Sequence, residues 1–203
     1  MDETIEKIIK LEYGMLDKVN NKGGRAWCQD HFDAFRIMRA SQFLTWPEAV
    51  RESYLDDLET ADAGGRNLIF EKYAWMMQYS HPDDFAKVEH VLPKFSPALV
   101  AKIEEIVAIQ VGWAVEFDKK YPKVSGAGRP LHSSEDTPWD TSVETYARGE
   151  IATYSERTID LYYQFIKGCQ AGGRNLTTEV RTNQAKFQGW KSLDEVEAAE
   201  QRG

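Results

Sequence analysis

The hexapeptide Ala63-Gly64-Gly65-Arg66-Asn67-Leu68 occurs twice in this chain, because residues 171–176 repeat it without change at an offset of 108 residues. An exact repeat of this length has a chance probability on the order of one in a thousand, and self-similarity at a fixed spacing is typical of a repeated structural unit. The same offset aligns Tyr54 with Tyr162. Because paired glycines after a helical pattern mark a helix end, the hexapeptide predicts the same helix boundary in each half of the chain.

The similarity continues upstream with a different offset. Residues 5–14 (IEKIIKLEYG) align with residues 103–112 (IEEIVAIQVG) at an offset of 98. The ten-residue difference falls in residues 122–140, an irregular stretch that exceeds the usual length of a connection. We therefore predict an internally duplicated helical bundle. Its two units, about residues 3–90 and 101–200, would pack about a pseudo-two-fold axis, with an insertion in the second unit.

The chain is predicted to be all-α, because apolar residues recur at spacings of three and four and long alternating runs of Val, Ile and Thr are missing. We predict that residues 1–203 form a single all-helical domain, built from two units of about four or five helices each. About eight helices are predicted. They cover residues 3–20, 30–46, 47–63, 66–79, a short segment after 81–83, 96–120, one long or kinked helix over 141–170, and two shorter helices after 172–173.

The composition excludes several classes of protein. A hydrophobic content of 42% with 29% charged residues is ordinary for a soluble globular chain and excludes global disorder. A net charge of −8, with Lys and Arg spread evenly, argues against a nucleic-acid partner, since such binding depends on clustered cations. No apolar run approaches the ~18 residues of a membrane helix, so no membrane association is expected.

Two features of the sequence point to the cytoplasm. The chain has only two cysteines, Cys28 and Cys169, which fits a reducing compartment better than a disulfide scaffold. Residues 1–14 are acidic and amphipathic and lack the basic start of a signal peptide. We therefore expect a cytoplasmic protein.

Four long polar residues interrupt apolar helical stripes. Glu12 lies in the stripe of the first helix, and its counterpart at an offset of 98 is Gln110. In the second helix of each unit, Gln42 corresponds to Glu150 at an offset of 108. Each unit therefore places one carboxylate and one amide on its inner face, which predicts the pairs Glu12 with Gln42 and Gln110 with Glu150. Burying an ionised carboxylate costs several kcal/mol unless partners offset it, so these positions require an explanation.

Three explanations are open at this point. In the structural one, Glu–Gln hydrogen bonds join helices. In the functional one, Glu12 and Glu150 meet near the axis with pKa values raised by desolvation and act as general acid and base, oriented by Gln42 and Gln110. The third is a dimetal carboxylate site, which is disfavoured because none of the four histidines stands three residues after a stripe glutamate. No metal and no cofactor are expected.

Other side chains adjoin these stripes. Arg39 and Arg148 lie next to the polar positions, so either could be the counter-charge that keeps Glu12 or Glu150 ionised. Trp46 and Tyr154 follow Gln42 and Glu150 on the same helical faces and would form the walls of a pocket.

Four further candidates lie at helix ends and loops. Arg25 and Arg129 follow glycines in corresponding loops, where a guanidinium could clamp a carboxylate or phosphate, and the loop of Arg129 could close as a lid. The alternative for both is an exposed, solvated arginine. Glu71 and Tyr73 open the fourth helix, where Glu71 could bind a ligand or answer the helix dipole as a cap.

Several separate segments carry a family resemblance. They are residues 23–29 (GGRAWCQ), 38–43 (MRASQF), 66–68 with 71–74 (RNL and EKYA), and 149–150 with 153–155 (GE and TYS). Together they resemble a bacterial family known only as domain of unknown function 4125, across almost the whole chain. The resemblance implies a bacterial cytosolic protein and brings no settled activity. Ala127 departs from the bulkier, often basic residue that the resemblance leads us to expect there.

Two functions are expected from these patterns. The first is a cytosolic protein that binds a small polar, nitrogen-containing molecule in a central carboxylate-lined pocket, with carboxylate acid/base catalysis as an open question. The second is a helical interaction or dimerisation module whose buried Glu and Gln side chains only specify packing. A homodimer is compatible with both.

Overall fold

The computed structural model describes residues 2–20, 24–126 and 128–200, and this part of the chain contains eleven α-helices and no strand. The prediction of an all-α protein is confirmed. The helices are α1 (Glu3–Asp17), α2 (Phe32–Phe43), α3 (Glu48–Ala63), α4 (Leu68–Ser80), α5 (Pro82–Val88), α6 (Pro97–Lys120), α7 (Pro122–Gly126), α8 (Val143–Ile151), α9 (Glu156–Ala171), α10 (Leu176–Phe187) and α11 (Leu193–Glu200). Gly23, the first residue of the segment 23–29, and the departure at Ala127 lie outside the described residues.

The prediction of one helix over residues 141–170 is wrong, because α8 ends at Ile151 and α9 begins at Glu156. Ser155 has extended backbone (φ −64°, ψ 160°), and its side chain accepts a hydrogen bond from the backbone N–H of Thr158. A serine in this arrangement caps a new helix, so the chain must turn there. Apolar periodicity alone cannot show such a break, since the spacing of apolar residues continues across it.

The irregular stretch of residues 122–140 contains more structure than predicted. It begins with the short helix α7 and includes a 3₁₀ helix over Ser133–Glu135. Pro122 opens α7, which is a favourable place for a proline because its missing N–H is not needed in the first turn. The other described residues of the stretch are irregular, as expected.

Helix packing is crossed between the two halves of the chain. Helix α1 packs against α2, α3 and α4, and helix α6 packs against α8, α9 and α10. In addition, α4 lies against α8, α10 lies against α2, and α3 lies against α9. The main hydrophobic core therefore draws residues from both halves and forms one continuous cluster.

The repeated hexapeptide ends one helix and starts the next in both places. Gly65 has φ +72° and Gly173 has φ +68°, which is left-handed backbone that favours glycine. The backbone N–H of Arg66 bonds back to α3, and that of Arg174 bonds back in the same way to α9. These bonds satisfy carbonyl groups at the two helix ends.

The asparagine of the hexapeptide then caps the next helix and ties it to the first helix of its half. Asn67 accepts a hydrogen bond at the start of α4 and donates from Nδ2 to the carbonyl of Met15. Asn175 accepts one at the start of α10 and donates to the carbonyl of Trp113. Met15 and Trp113 are themselves related by the offset of 98.

In the described part of the chain, no helix combines the length and apolar character needed to cross a bilayer.

Candidate functional site

Four charged side chains from four helices meet in the interior. They are Glu12 of α1, Arg39 of α2, Lys72 of α4 and Glu150 of α8, and each residue is at most 6% exposed. We call these four residues the buried ion network. Two cations and two carboxylates leave the network without net charge, which is the condition under which charges are tolerated in a protein interior.

Arg39 is the centre of the buried ion network. Its Nε donates to Glu12 Oε2 at 2.7 Å and its Nη2 to Glu12 Oε1 at 2.5 Å, a two-pronged contact that suits the planar guanidinium. Its Nη1 lies 3.2 Å from Glu150 Oε1. Lys72 Nζ completes the network by donating to Glu150 Oε2 at 2.6 Å. Arg39 therefore joins the carboxylate of one half to the carboxylate of the other.

The surroundings of Glu150 keep it ionised. Burial raises the pKa of Glu150, but the attraction of Arg39 and Lys72 outweighs that effect and holds the pKa well below its ordinary value of 4.5. The expectation that desolvation would raise this pKa is therefore wrong. Apolar stripes predicted the burial of Glu150 correctly but not its contact with Lys72, which approaches from a different helix. A carboxylate in this state is not a proton donor near neutral pH.

Neutral hydrogen-bond donors add to the contacts that the two carboxylates make with the cations. Tyr54 donates to Glu12 Oε1 at 2.8 Å, and Tyr154 donates to Glu150 Oε1 at 3.2 Å. Burial is the main reason why the pKa of both tyrosines lies well above 10.0, and the nearby carboxylates raise it further. Both tyrosines therefore stay protonated. The hydroxyl groups therefore act as fixed donors.

The amides pair differently from the expected Glu–Gln pairs within each unit. Gln42 Nε2 donates to Glu150 Oε1 at 2.8 Å, and Gln42 Oε1 accepts from Arg39 Nη1 at 2.8 Å. Gln110 donates instead to the hydroxyl of Tyr162 at 2.6 Å. The predicted pairs Glu12 with Gln42 and Gln110 with Glu150 are thus wrong, because α2 and α8 approach each other across the halves and bring Gln42 to Glu150.

A cavity of about 370 Å³ lies beside the buried ion network. We call it the central cavity. Seven of the residues predicted from the sequence line it: Arg39, Gln42, Trp46, Gln110, Arg129, Glu150 and Tyr154. Glu12 lies behind Arg39 and does not reach the cavity, and its side chain is fully buried. The wall combines aromatic and aliphatic side chains with several polar groups, a mixture typical of a small-molecule site.

Arg129 lines the central cavity from the loop that follows α7. Its guanidinium donates to the carbonyl and the hydroxyl of Thr141 at 2.9 and 2.8 Å. It also lies over the ring of Tyr146, with 4.7 Å between the guanidinium carbon and the ring centroid. The corresponding Arg25 is elsewhere: like Arg129 it is exposed, and it bonds to Asp17 and Asp30. Only one of the two loop arginines therefore faces the cavity.

Arg148 and Glu71 also lie away from the central cavity. Arg148 bonds to Glu104 at 2.7 Å and to Glu144 at 2.8 Å, so it is not a counter-charge of Glu12 or Glu150. Glu71 accepts two hydrogen bonds from Arg66, at 2.8 and 2.7 Å. Arg174 and Glu179 make the same contact in the other half. The ion pair of Glu71 with Arg66 thus stabilises the turn before α4.

Tyr73 also does not line the cavity. It is half-buried and packs against the main core, and burial raises the pKa of its hydroxyl. Its predicted role in ligand binding stays a prediction.

The sequence patterns missed Lys72, Tyr54 and Arg181. Lys72 lies on the buried face of α4 between Leu68 and Met76, so the rule that identified Glu12 would also have found it. Arg181 lines the central cavity from α10, one helical turn after the lining residue Thr177. Tyr54 stood out in the sequence only as a match to Tyr162, and its hydroxyl contact depends on the packing of α1 against α3.

The described residues include no group of three or more His, Cys, Asp or Glu side chains arranged to hold a metal ion. A family model described as protein of unknown function (DUF4125) matches residues 2–198, and the chain belongs to that family. The resemblance seen in the sequence is confirmed. No curated protein and no solved structure matches the chain.

Proposed function

We propose that this DUF4125 protein binds a small polar molecule in the central cavity. The volume of about 370 Å³ is within the range of ligand sites, which is roughly 300–1,000 Å³. Indole and phenol rings form part of the wall, beside aliphatic side chains and amide and guanidinium groups. Rings supply contact area, and the few polar groups fix the orientation of a ligand.

The proposal includes an internal duplication, because contacts between the halves occur in matched pairs. The rings of Trp46 and Tyr162 are 4.9 Å apart, and those of Tyr54 and Tyr154 are also 4.9 Å apart. At the offset of 108, Trp46 corresponds to Tyr154 and Tyr54 to Tyr162, so each contact is the counterpart of the other. Reciprocal contacts of this kind are what a two-fold axis produces. Helices α3 and α9 also begin and end at corresponding residues.

The observation that carries the proposal is a set of four replacements. In the alignment of the two halves, each charged residue of the buried ion network corresponds to an uncharged one: Gln110 to Glu12, Ala147 to Arg39, Val180 to Lys72 and Gln42 to Glu150. All four uncharged residues line the central cavity.

These replacements explain why the cavity lies where it does. At one of the two corresponding places, a guanidinium and an ammonium group fill the space between two carboxylates. At the other, Ala147 and Val180 leave the corresponding space open, and Gln42 and Gln110 remain at its edge as neutral hydrogen-bonding groups. One place thus supplies a rigid ionic support and the other supplies the binding site, and both halves of the chain contribute to each.

The carboxylates have a supporting role in this proposal. Glu150 is held by Arg39, Lys72 and Gln42, so its oxygens are occupied and its pKa is lowered. Such a group fixes the wall of a site and is poorly suited to general acid catalysis.

Both cysteines are free thiols, which supports a cytoplasmic location.

A thermal-shift screen against a broad metabolite library tests the proposal. We expect a ligand at a hundred times its Kd to add ~2.7 kcal/mol of stability to the wild-type protein. Ala147→Phe fills the cavity and should abolish the response, whereas Ala101→Phe, on the exposed face of α6, should retain it. Circular dichroism checks that both variants fold. If no compound stabilises the wild type, or if both variants respond alike, the interaction module becomes the better explanation.

A further inference from the structure

Arg181 is an arginine of the cavity wall without an acidic partner. It lies on α10 and lines the central cavity, and its side-chain partner is the neutral amide oxygen of Gln184, 3.1 Å from Nη1. Among the described residues, no carboxylate forms a salt bridge with it. By contrast, Arg39 and Arg148 are each bonded to two carboxylates.

Arg129 has the same property. Its partners within the described ranges are the carbonyl and hydroxyl of Thr141 and the ring of Tyr146, and none of these groups is acidic. The guanidinium is therefore held in a defined orientation but its charge is not cancelled. A ring face and two neutral oxygens position an arginine for a further partner.

The two arginines approach the same part of the cavity wall. A Cβ atom added at Gly128 would lie 3.8 Å from Arg181 Nη2 and 2.9 Å from the carbonyl oxygen of Ser125. The guanidinium of Arg181 thus reaches the residue directly before Arg129. Glycine at position 128 is favoured by the local turn, because any side chain there would meet the backbone of Ser125, whereas the distance to Arg181 is an ordinary van der Waals contact.

The charges around the cavity do not balance. The buried ion network is neutral by itself, so Arg129 and Arg181 add two positive charges that no described carboxylate cancels. This excess is local, since the whole chain has a net charge of −8. Burial lowers the pKa of the Arg181 guanidinium, which shows that its charged form is poorly solvated. An anion between the two groups would remove this penalty.

We infer that Arg129 and Arg181 bind the carboxylate or phosphate group of the ligand. This inference rests on the proposed function and adds the chemical class of the ligand, a small organic acid or a phosphate monoester. The amides of Gln42 and Gln110 would hydrogen-bond the uncharged part of the molecule, and Trp46 would contact its apolar surface. The planar fork of arginine matches both kinds of oxyanion, so both stay within the proposed class.

A panel of probes with one ring and different charges tests the inference. Benzoate, phenyl phosphate, benzyl alcohol and benzylammonium are each titrated into the wild-type protein by calorimetry and thermal shift. We expect benzoate or phenyl phosphate to bind and the neutral and cationic probes to bind at least about tenfold more weakly. The comparison of benzoate with phenyl phosphate separates a carboxylate ligand from a phosphate ligand.

Variants locate the binding site of the anionic probe. Arg181→Gln and Arg129→Gln should each weaken its binding at least about tenfold. Arg157→Gln changes the net charge equally but removes an exposed arginine that is paired with Asp56, so it should bind like the wild type. Without ligand, Arg181→Gln should be as stable as the wild type or more stable, because the variant lacks a poorly solvated charge.

The outcomes separate the inference from the proposed function. Binding of benzyl alcohol or benzylammonium in preference to the anions would overturn the inference and leave the proposed function in place. Anion binding that survives both Arg181→Gln and Arg129→Gln would also overturn it. Failure of all four probes contradicts the inference, and the metabolite screen with Ala147→Phe then decides independently whether the cavity binds any ligand. Loss of stability in ligand-free Arg181→Gln would show that the arginine is structural.

Discussion

Gln42 donates a hydrogen bond of 2.8 Å to Glu150, the residue that the sequence alignment of the two halves pairs with it at the offset of 108. Under the proposed duplication, this contact would lie near the axis that relates the two halves. One of the two is an amide and the other a carboxylate, so the contact is a hydrogen bond and not a repulsion between like charges. The difference between these two residues therefore makes the close contact of α2 with α8 at this point favourable.

Glu150→Gln should destabilise the protein strongly. The change leaves Arg39 and Lys72 buried with one carboxylate fewer, and breaking a buried ion network in this way typically costs about 3–5 kcal/mol. Urea denaturation measures the change in free energy of unfolding. Glu105→Gln, which removes an exposed carboxylate paired with Lys167, is the control and should leave the midpoint nearly unchanged. Equal stabilities of the two variants would contradict the importance of the network.

Acid should weaken the fold through Glu150. Its pKa in the folded state lies below the ordinary value of 4.5, so the unfolded chain takes up the proton first as the pH falls. The stabilisation is complete above the unfolded value and is lost progressively below it, at up to about 1.4 kcal/mol per pH unit. Urea midpoints measured from pH 6 down to pH 3 should fall less steeply in Glu150→Gln than in the wild type. Parallel curves would show that Glu150 does not contribute.

Tyr54→Phe and Tyr162→Phe should differ in cost although the two positions correspond. Tyr54 donates to the carboxylate of Glu12, which is paired with Arg39, and a hydrogen bond within an ion pair is worth about 1.5–3 kcal/mol. Tyr162 bonds to the neutral Gln110, for which about 0.5–1.5 kcal/mol is expected. Both tyrosines are buried, so the loss of contact area is similar. Chemical denaturation of the two variants measures the difference, and a larger cost at Tyr162 would contradict the prediction.

Gly149→Ala should disturb the contact between α8 and α4. A Cβ atom at this position would lie 2.8 Å from Met76 Cγ and 2.9 Å from the carbonyl oxygen of Lys72, so the two helices would have to separate. Overpacking of this kind costs about 1–3 kcal/mol.

Gly112→Ala is the matched control for that substitution. No atom lies within 4 Å of its added Cβ, and an alanine within α6 should stabilise the helix by about 0.5–1 kcal/mol. Thermal denaturation should therefore shift in opposite directions for the two variants. A stabilised Gly149→Ala protein would show that the helices adjust without cost.

Much of the site can be predicted from the sequence, because the two similar halves of the sequence can be compared position by position. Glu12 and Glu150 were identifiable as polar residues on apolar stripes, and Arg39 as a neighbouring counter-charge. The partner of Gln42 and the lowered pKa of Glu150 were not accessible. Both depend on which helices of one half lie against the other half, and helical periodicity describes only one helix at a time. The break at Ser155 was missed for the same reason, because a cap is a local conformation.

The crossed packing has a consequence for how the chain folds. Since α4 lies against α8 and α10 lies against α2, each half completes the hydrophobic core of the other. A fragment that ends before α6 would expose the face of α4 that α8 covers, together with the ammonium group of Lys72. The chain should therefore unfold in a single cooperative transition, and cleavage between α5 and α6 should yield two fragments that remain associated until both denature together.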